Sequence, residues 1–127
     1  MSTLELARAK FALEKVEQVK NDSAYRRELQ DLPARLHSAG LGQTVASLLA
    51  AAERNSSRKA IYGWLEEWLR KPPIRYPAGQ RLIDCIVGNL PQGIKPASYM
   101  AASREARALA TWLKKFAEAF ILKDAKG

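Results

Sequence analysis

The amino-acid sequence predicts an all-α fold, arranged as a single-domain bundle of about six helices. Three observations support this prediction. Apolar residues recur at steps of three and four, no segment shows strand-like alternation, and short polar clusters or segments with glycine or proline separate the periodic segments. With 127 residues, 47% of them hydrophobic, the chain can bury one core without disulfide or metal support. We therefore expect one domain over residues 1–127.

The apolar stripes and the breaks between them place the helices. They are predicted over residues 3–20, 23–39, 41–53, 58–70, 79–88 and 96–122. Asp22 or Ser23 is expected to cap the second helix, and a serine the fourth. Pro33 should bend or split the second helix near residues 30–32, because proline lacks the backbone donor.

The joint around Gly40 separates two apolar stripes. The residues before it are Tyr25, Leu29, Leu32, Leu36 and Ala39, and those after it are Leu41, Val45, Leu48, Leu49 and Ala52. A glycine at this point is typical of a helix end with positive φ, so a tight helical hairpin is predicted. The motif Gly40-x-Gly42 lacks the third glycine and the lysine of phosphate-binding loops, which favours the structural interpretation.

The last predicted helix is the most regular element and should form the spine of the bundle. Its apolar stripe comprises Ala102, Ala106, Leu109, Leu113, Phe116 and Phe120. Pro96 suits the first turn, and Ser98 or Ser103 can accept from early backbone donors. Residues 123–127 are expected to fray. The fourth helix carries Trp64 and Trp68 on its apolar stripe, which indicates that both indoles lie in the core.

Net charge is the strongest compositional clue to a partner. The chain carries 21 Lys and Arg against 13 Asp and Glu, a formal net charge of +8. Residues 70–127 hold eleven of these bases and four of the acids, so seven of the excess positive charges lie in this part. A field of this sign attracts polyanions, which favours nucleic acid as the partner. A basic soluble protein that binds no nucleic acid is the alternative.

Residue types that carry catalysis or metal binding are scarce. The chain has one histidine, His37, one cysteine, Cys85, and no carboxylate cluster at metal-ligand spacing. Glu66 and Glu67 are adjacent and point about 100° apart on a helix, so they face no common substrate. We therefore predict that the protein is not an enzyme, with no catalytic residue, no metal and no cofactor.

The expected compartment follows from the single cysteine and from the N-terminal sequence. One cysteine forms no internal disulfide, which fits a reducing environment. The first ten residues, MSTLELARAK, contain no continuous apolar segment, and nowhere do 18 apolar residues run together. We expect a cytoplasmic protein without a membrane partner.

The candidate nucleic-acid contacts are basic residues after Leu69. They are Arg70, Lys71, Arg75, Arg81, Arg104, Arg107, Lys114 and Lys115. The first four lie in or beside the proline loop, residues 71–79. Tyr76 and Tyr99 either stack on unpaired bases or pack in the core or at its rim. Arg104, Arg107, Thr111 and Lys114 are spaced three, four and three, and we call them the basic ridge. Such a ridge can meet successive phosphates without reading bases.

The order and spacing of several motifs resemble a known family. Residues 25–49, YRRELQDLPARLHSAGLGQTVASLL, and the closing segment ALATWLKKFAEAF, residues 108–120, are similar to the small α-helical subunit of the type III-B CRISPR (Cmr) effector complex. The resemblance covers most of the chain. It implies a compact, non-catalytic subunit, because target cleavage is expected in the neighbouring backbone subunits.

The resemblance also implies partners. The subunit would stack with further copies of itself along the inner filament of a crRNA-guided complex, beside the backbone subunit and other Cmr subunits, and target RNA would pass along its basic face. The alternative is a stand-alone basic helical adaptor or DNA-binding regulator. A helix-turn-helix reader is disfavoured because the helix after Gly40, LGQTVASLLAAAE, has no Arg, Lys or Asn to reach base edges.

Overall fold

The computed structural model describes residues 1–123 and is all-helical over them, which confirms the predicted fold class. Five helices occur in this described part, namely α1 (Thr3–Gln18), α2 (Ser23–Ala51), α3 (Ser56–Leu69), α4 (Leu82–Val87) and α5 (Tyr99–Phe120). The prediction of six helices was one too many, because the second and third predicted helices form one element with a kink inside it. The predicted fraying falls mostly on residues 124–127, which lie outside the described residues.

The kink in α2 lies at Gly40, where the sequence predicted a joint with positive φ, and not at Pro33. Gly40 has φ of 87° and ψ of 167°, whereas Pro33 lies within the helical run. Pro33 therefore does not split the helix. Leu29, Leu32 and Leu36 surround it and are at most 3% exposed. Burial of three leucines stabilises this segment by several kcal/mol, more than the roughly 3 kcal/mol that an internal proline costs.

Side-chain oxygens cap most helix N-termini. Ser2 accepts a hydrogen bond from the backbone of Glu5 at the start of α1, and Asp22 accepts one from Ala24 at the start of α2. At α3 the cap is Asn55, not the predicted serine, and it accepts from the Arg58 N–H at 3.1 Å. Asparagine and serine are near-equivalent caps, so this choice was open in the sequence.

The ends of α4 and α5 also differ from the prediction. α4 begins at Leu82 rather than Gly79, and its C-cap is Gly88, which has φ of 78° and donates its N–H to the Asp84 carbonyl. α5 begins at Tyr99, so Pro96 precedes its first turn. The Ser98 hydroxyl accepts a hydrogen bond from the Ala101 N–H at 3.1 Å, so the predicted serine cap is present.

The chain divides into two compact units. The first contains residues 1–35 and the chain from residue 107 onward, and the second contains residues 36–106. The buried apolar residues of the first unit include Phe11, Val16, Tyr25, Leu29, Leu109 and Leu113. Those of the second include Leu41, Val45, Ile61, Trp64, Leu65, Trp68 and Leu82. Both tryptophans of α3 lie in the core, as predicted.

The buried face of α5 departs from the predicted stripe at its C-terminal end. Ala102, Ala106, Leu109 and Leu113 are fully buried as expected, but Phe120 is 45% exposed. Ala110, Ala117 and Ile121 are buried in place of the phenylalanines. Trp112, Phe116 and Phe120 form a partly exposed row with ring centroids 5.5 and 6.1 Å apart, which we call the aromatic row.

Candidate nucleic-acid interface

The start of the proline loop is closed by backbone hydrogen bonds at the end of α3. The Arg75 N–H donates to the Lys71 carbonyl at 3.0 Å, and the Tyr76 N–H donates to the Leu69 carbonyl at 2.9 Å. Two side chains of this loop are buried, Ile74 at 6% and Tyr76 at 2% exposure. These contacts fix the path of residues 71–76 within the second unit.

Two of the four candidate cations around this loop are engaged within the chain. Arg70 pairs with Glu66 at 3.4 Å and donates to the Gln80 carbonyl at 3.1 Å. Arg81 makes a two-pronged contact with Asp84 at 2.7 and 3.2 Å. These hydrogen bonds from Arg81, together with one from Asn89, hold the pKa of Asp84 below its ordinary value. An external anion could bind either guanidinium group in this geometry only by replacing these partners.

The other two loop cations face solvent. The side chains of Lys71 and Arg75 are exposed, and neither makes an ion pair with any residue in the described range 1–123. Arg75 has a positive φ of 54°, a conformation that L-residues other than Asn and Asp adopt rarely. The loop therefore presents one lysine and one arginine whose side chains have no acidic partner among residues 1–123.

The remaining candidates lie on α5. Arg104, Arg107 and Lys115 are exposed, and Lys114 is partly exposed. The Thr111 hydroxyl donates back to the Arg107 carbonyl at 3.0 Å, so the polar position of the basic ridge is satisfied within its own helix. Glu118 is an exposed acid one turn beyond Lys114. The helix thus carries four bases along its solvent side.

The structure distributes the eight candidates over both units. Arg70, Lys71, Arg75, Arg81 and Arg104 belong to the second unit, and Arg107, Lys114 and Lys115 belong to the first. A backbone hydrogen bond joins Lys71 and Arg75, and the four α5 residues share one helix. These groups can donate hydrogen bonds to an extended anion and neutralise its negative charge.

Comparison with protein families places the chain in a known family. The family model described as CRISPR-associated protein (Cas_Cmr5) matches residues 4–120. The chain belongs to the Cas_Cmr5 family. It is accordingly a CRISPR-associated small subunit of the type III-B (Cmr) complex, as the sequence motifs indicated. The match runs from the first turn of α1 to the last residue of α5. Neither the curated proteins nor the solved structures give a significant match to this chain.

In this Cas_Cmr5 chain the two tyrosines considered for base stacking have other surroundings. Tyr76 is 2% exposed, so its ring is not available to a base and the core alternative is correct. The Tyr99 ring is 46% exposed, and its hydroxyl accepts a hydrogen bond from the Gly42 N–H at 3.1 Å. The sequence could not show this contact, because 57 residues separate the partners.

The aromatic row is a partly exposed feature of the Cas_Cmr5 chain, and the sequence interpretation assigned two of its members, Phe116 and Phe120, to the buried stripe. The signal was present, because Trp112, Phe116 and Phe120 repeat every four residues. A strict spacing of four drifts around a helix that turns every 3.6 residues, so such a row leaves the buried face.

Other chemistry finds little support in the residues that the structure describes. No group of three or more His, Cys, Asp or Glu within them could hold a metal ion. Cys85 is a buried free thiol, and burial raises its pKa, which leaves it in the unreactive form. His37 is exposed on α2. No helix within residues 1–123 is long and apolar enough to cross a membrane.

Proposed function

We propose that this Cas_Cmr5 chain is a non-catalytic subunit that stacks in several copies along the inner filament of a crRNA-guided type III-B effector complex. In this proposal it lies beside the backbone subunit and other Cmr subunits and contacts target RNA through basic side chains. The family match over residues 4–120 is the observation that carries the proposal. The scarcity of catalytic residue types in the sequence agrees with it, and the proposal places the complex in the cytoplasm.

The RNA contacts are assigned to the exposed cations first. Three of them lie on α5, where Lys114 is partly exposed, and Lys71 and Arg75 lie in the proline loop. Arg70 and Arg81 are paired with Glu66 and Asp84, so they would contact RNA only after exchanging these partners. Contacts of this kind neutralise phosphates and read no base, so affinity should depend strongly on salt and little on sequence.

Charge reversal of the basic ridge tests the RNA contact. Arg104, Arg107 and Lys114 are replaced together by glutamate, and capture of target RNA by the reconstituted complex is measured over a salt series. Loss of three phosphate contacts should weaken capture and lower the slope of log affinity against log salt by about 2. Unchanged capture would remove the ridge from the interface.

A matched control separates local contact from total charge. Lys10, Arg54 and Lys59 are exposed and lie outside the candidate set, so their joint replacement by glutamate changes the net charge equally. This control should leave the salt slope unchanged. Equal weakening by both triple variants would indicate a long-range field effect rather than contact by the ridge.

Copurification tests the assembly itself. Tagged chain from its native host should bring down an RNA-containing assembly with a backbone protein. A lone dimer bound to duplex DNA would instead support a stand-alone regulator and overturn the proposal. Isolated subunit is expected to bind RNA weakly, because contacts along a filament act together through effective concentration.

A further inference from the structure

The turn from Lys71 to Arg75 is a closed and anchored element. Its ends are joined by the 3.0 Å hydrogen bond from the Arg75 N–H to the Lys71 carbonyl. Arg75 stands between the buried side chains of Ile74 and Tyr76, and the Tyr76 N–H is tied to the last residue of α3. The backbone that carries both cations is therefore fixed before any ligand arrives.

Arg75 occupies an unfavourable backbone conformation. Its φ of 54° places it in the left-handed region, where the Cβ of an L-residue crowds the following carbonyl. Glycine adopts this region without the penalty and is the common residue there. Gly40, Gly79, Gly88 and Gly93 occupy the other positive-φ positions found within residues 1–123. An arginine at this position is thus disfavoured by local conformation, which points to a use for its side chain.

The charge around the turn matches an anion. Lys71 and Arg75 are exposed, and in the range that the structure describes neither is neutralised by an acid, in contrast to Arg70 and Arg81. They stand at the two ends of one five-residue turn, in which Pro72 and Pro73 are exposed, Ile74 is buried and none of the three carries a side-chain acceptor. Arginine offers a planar fork of donors and lysine a compact ammonium, a combination suited to phosphate oxygens.

We propose that Lys71 and Arg75 form a pre-organised clamp for a phosphate group of the RNA backbone, and that the left-handed backbone of Arg75 is retained for this contact at the expense of stability. The inference rests on the proposed function, since it takes target RNA as the ligand. It goes further by singling out one turn, by assigning one phosphate group to two side chains and by predicting opposite effects on binding and stability.

Three substitutions at one position test the clamp. In the reconstituted complex, Arg75→Ala and Arg75→Gly should weaken capture of target RNA about fivefold to tenfold, because each removes a charge-assisted contact. Each should also lower the salt slope by about 0.7. Arg75→Lys should restore part of the affinity, since it keeps the charge and loses the fork. Arg54→Ala removes an exposed arginine of the same unit and should leave capture unchanged.

Thermal unfolding of the full-length subunit tests the stability cost. Arg75→Gly should melt about 3 °C above Arg75→Ala, because only glycine relieves the left-handed strain. Equal melting temperatures, or a lower one for the glycine variant, would overturn the claimed cost. The Ala and Gly variants share the loss of the guanidinium, so this comparison is independent of RNA.

The outcomes separate the clamp from the proposed function. If both Arg75 variants capture RNA normally while reversal of the basic ridge weakens capture, the clamp is wrong and the RNA-contacting subunit stands. If neither change affects capture, the RNA contact in the proposed function fails as well. A third outcome is that the Arg75 variants lose a neighbouring subunit from the assembly, while the complex that remains intact keeps its RNA affinity. The ligand would then be an acidic protein surface, and the clamp would be overturned.

Discussion

The Tyr99 hydroxyl accepts a hydrogen bond from the Gly42 N–H across 3.1 Å. The contact joins the first residue of α5 to the second residue after the α2 kink, within the second unit. A Cβ on Gly40 would lie 3.2 Å from the same hydroxyl oxygen. The oxygen therefore lies close to the backbone on both sides of Leu41.

Replacement of Tyr99 by phenylalanine should lower the free energy of unfolding by about 1 kcal/mol, because the Gly42 N–H loses its acceptor. The ring stays, so RNA capture by the complex should remain near wild type. Denaturant unfolding and the capture assay measure the two effects. A stable variant with weakened capture would show that the hydroxyl serves RNA rather than the fold.

Replacement of Gly40 by alanine should destabilise the chain by about 1 to 2 kcal/mol, because alanine at φ of 87° is strained and its Cβ meets the Tyr99 oxygen. Gly63→Ala is the matched control. Gly63 lies inside α3, and a Cβ there meets nothing within 4 Å, so alanine should stabilise the helix by about 0.5 to 1 kcal/mol. If chemical denaturation shows that both substitutions change the free energy of unfolding in the same direction, the requirement for glycine at the kink is contradicted.

Much of the fold was predictable because the buried stripes are long and regular. Leu29, Leu32 and Leu36 on α2, and Trp64 and Trp68 on α3, are all buried as the spacing indicated. Periodicity could not show which side of α5 is buried near its C-terminal end, because one side carries alanines, the other carries aromatic residues, and both are apolar. The distinction depends on how closely neighbouring backbones approach, which a single stripe does not encode.

The candidate site was predictable only as a set of basic residues. Arg81 and Asp84 are three residues apart and their ion pair could have been inferred from that spacing. The contact of Arg70 with the Gln80 carbonyl depends on the path of the proline loop, which no local pattern gives. The same holds for the positive φ of Arg75, because a non-glycine residue carries no signal for it.

The corrected face of α5 leads to a prediction about its core. Leu113 is fully buried and Phe120 is 45% exposed. Leu113→Ala should therefore lower the free energy of unfolding by about 3 kcal/mol, since it leaves a cavity, whereas Phe120→Ala should cost about 1 kcal/mol. Chemical denaturation of the two variants compares them directly. A larger loss for Phe120→Ala would restore the stripe that the sequence predicted.

The buried hydroxyl of Tyr76 predicts an alkaline dependence of stability. The hydroxyl has no hydrogen-bond partner among the residues that the structure describes, and burial raises the pKa of Tyr76 to about 12 from an ordinary value of 10.0. Because the folded-state pKa is the higher one, the contribution of Tyr76 to stability is complete below pH 10 and is lost as the pH rises from 10 through about 12.

Replacement of Tyr76 by phenylalanine removes both the unpartnered hydroxyl and this titration. At pH 7 the variant should be as stable as the wild type or more stable by about 1 kcal/mol, because the ring keeps its packing and no buried donor is left unpaired. Denaturant unfolding between pH 9 and about 12 should show the variant gaining roughly 2 kcal/mol on the wild type. Tyr25 and Tyr62, whose pKa values are raised mainly by burial, are present in both proteins, so their titration cancels in the comparison. If the difference in unfolding free energy between wild type and variant stays constant over this pH range, Tyr76 ionises as freely in the folded chain as in the unfolded one.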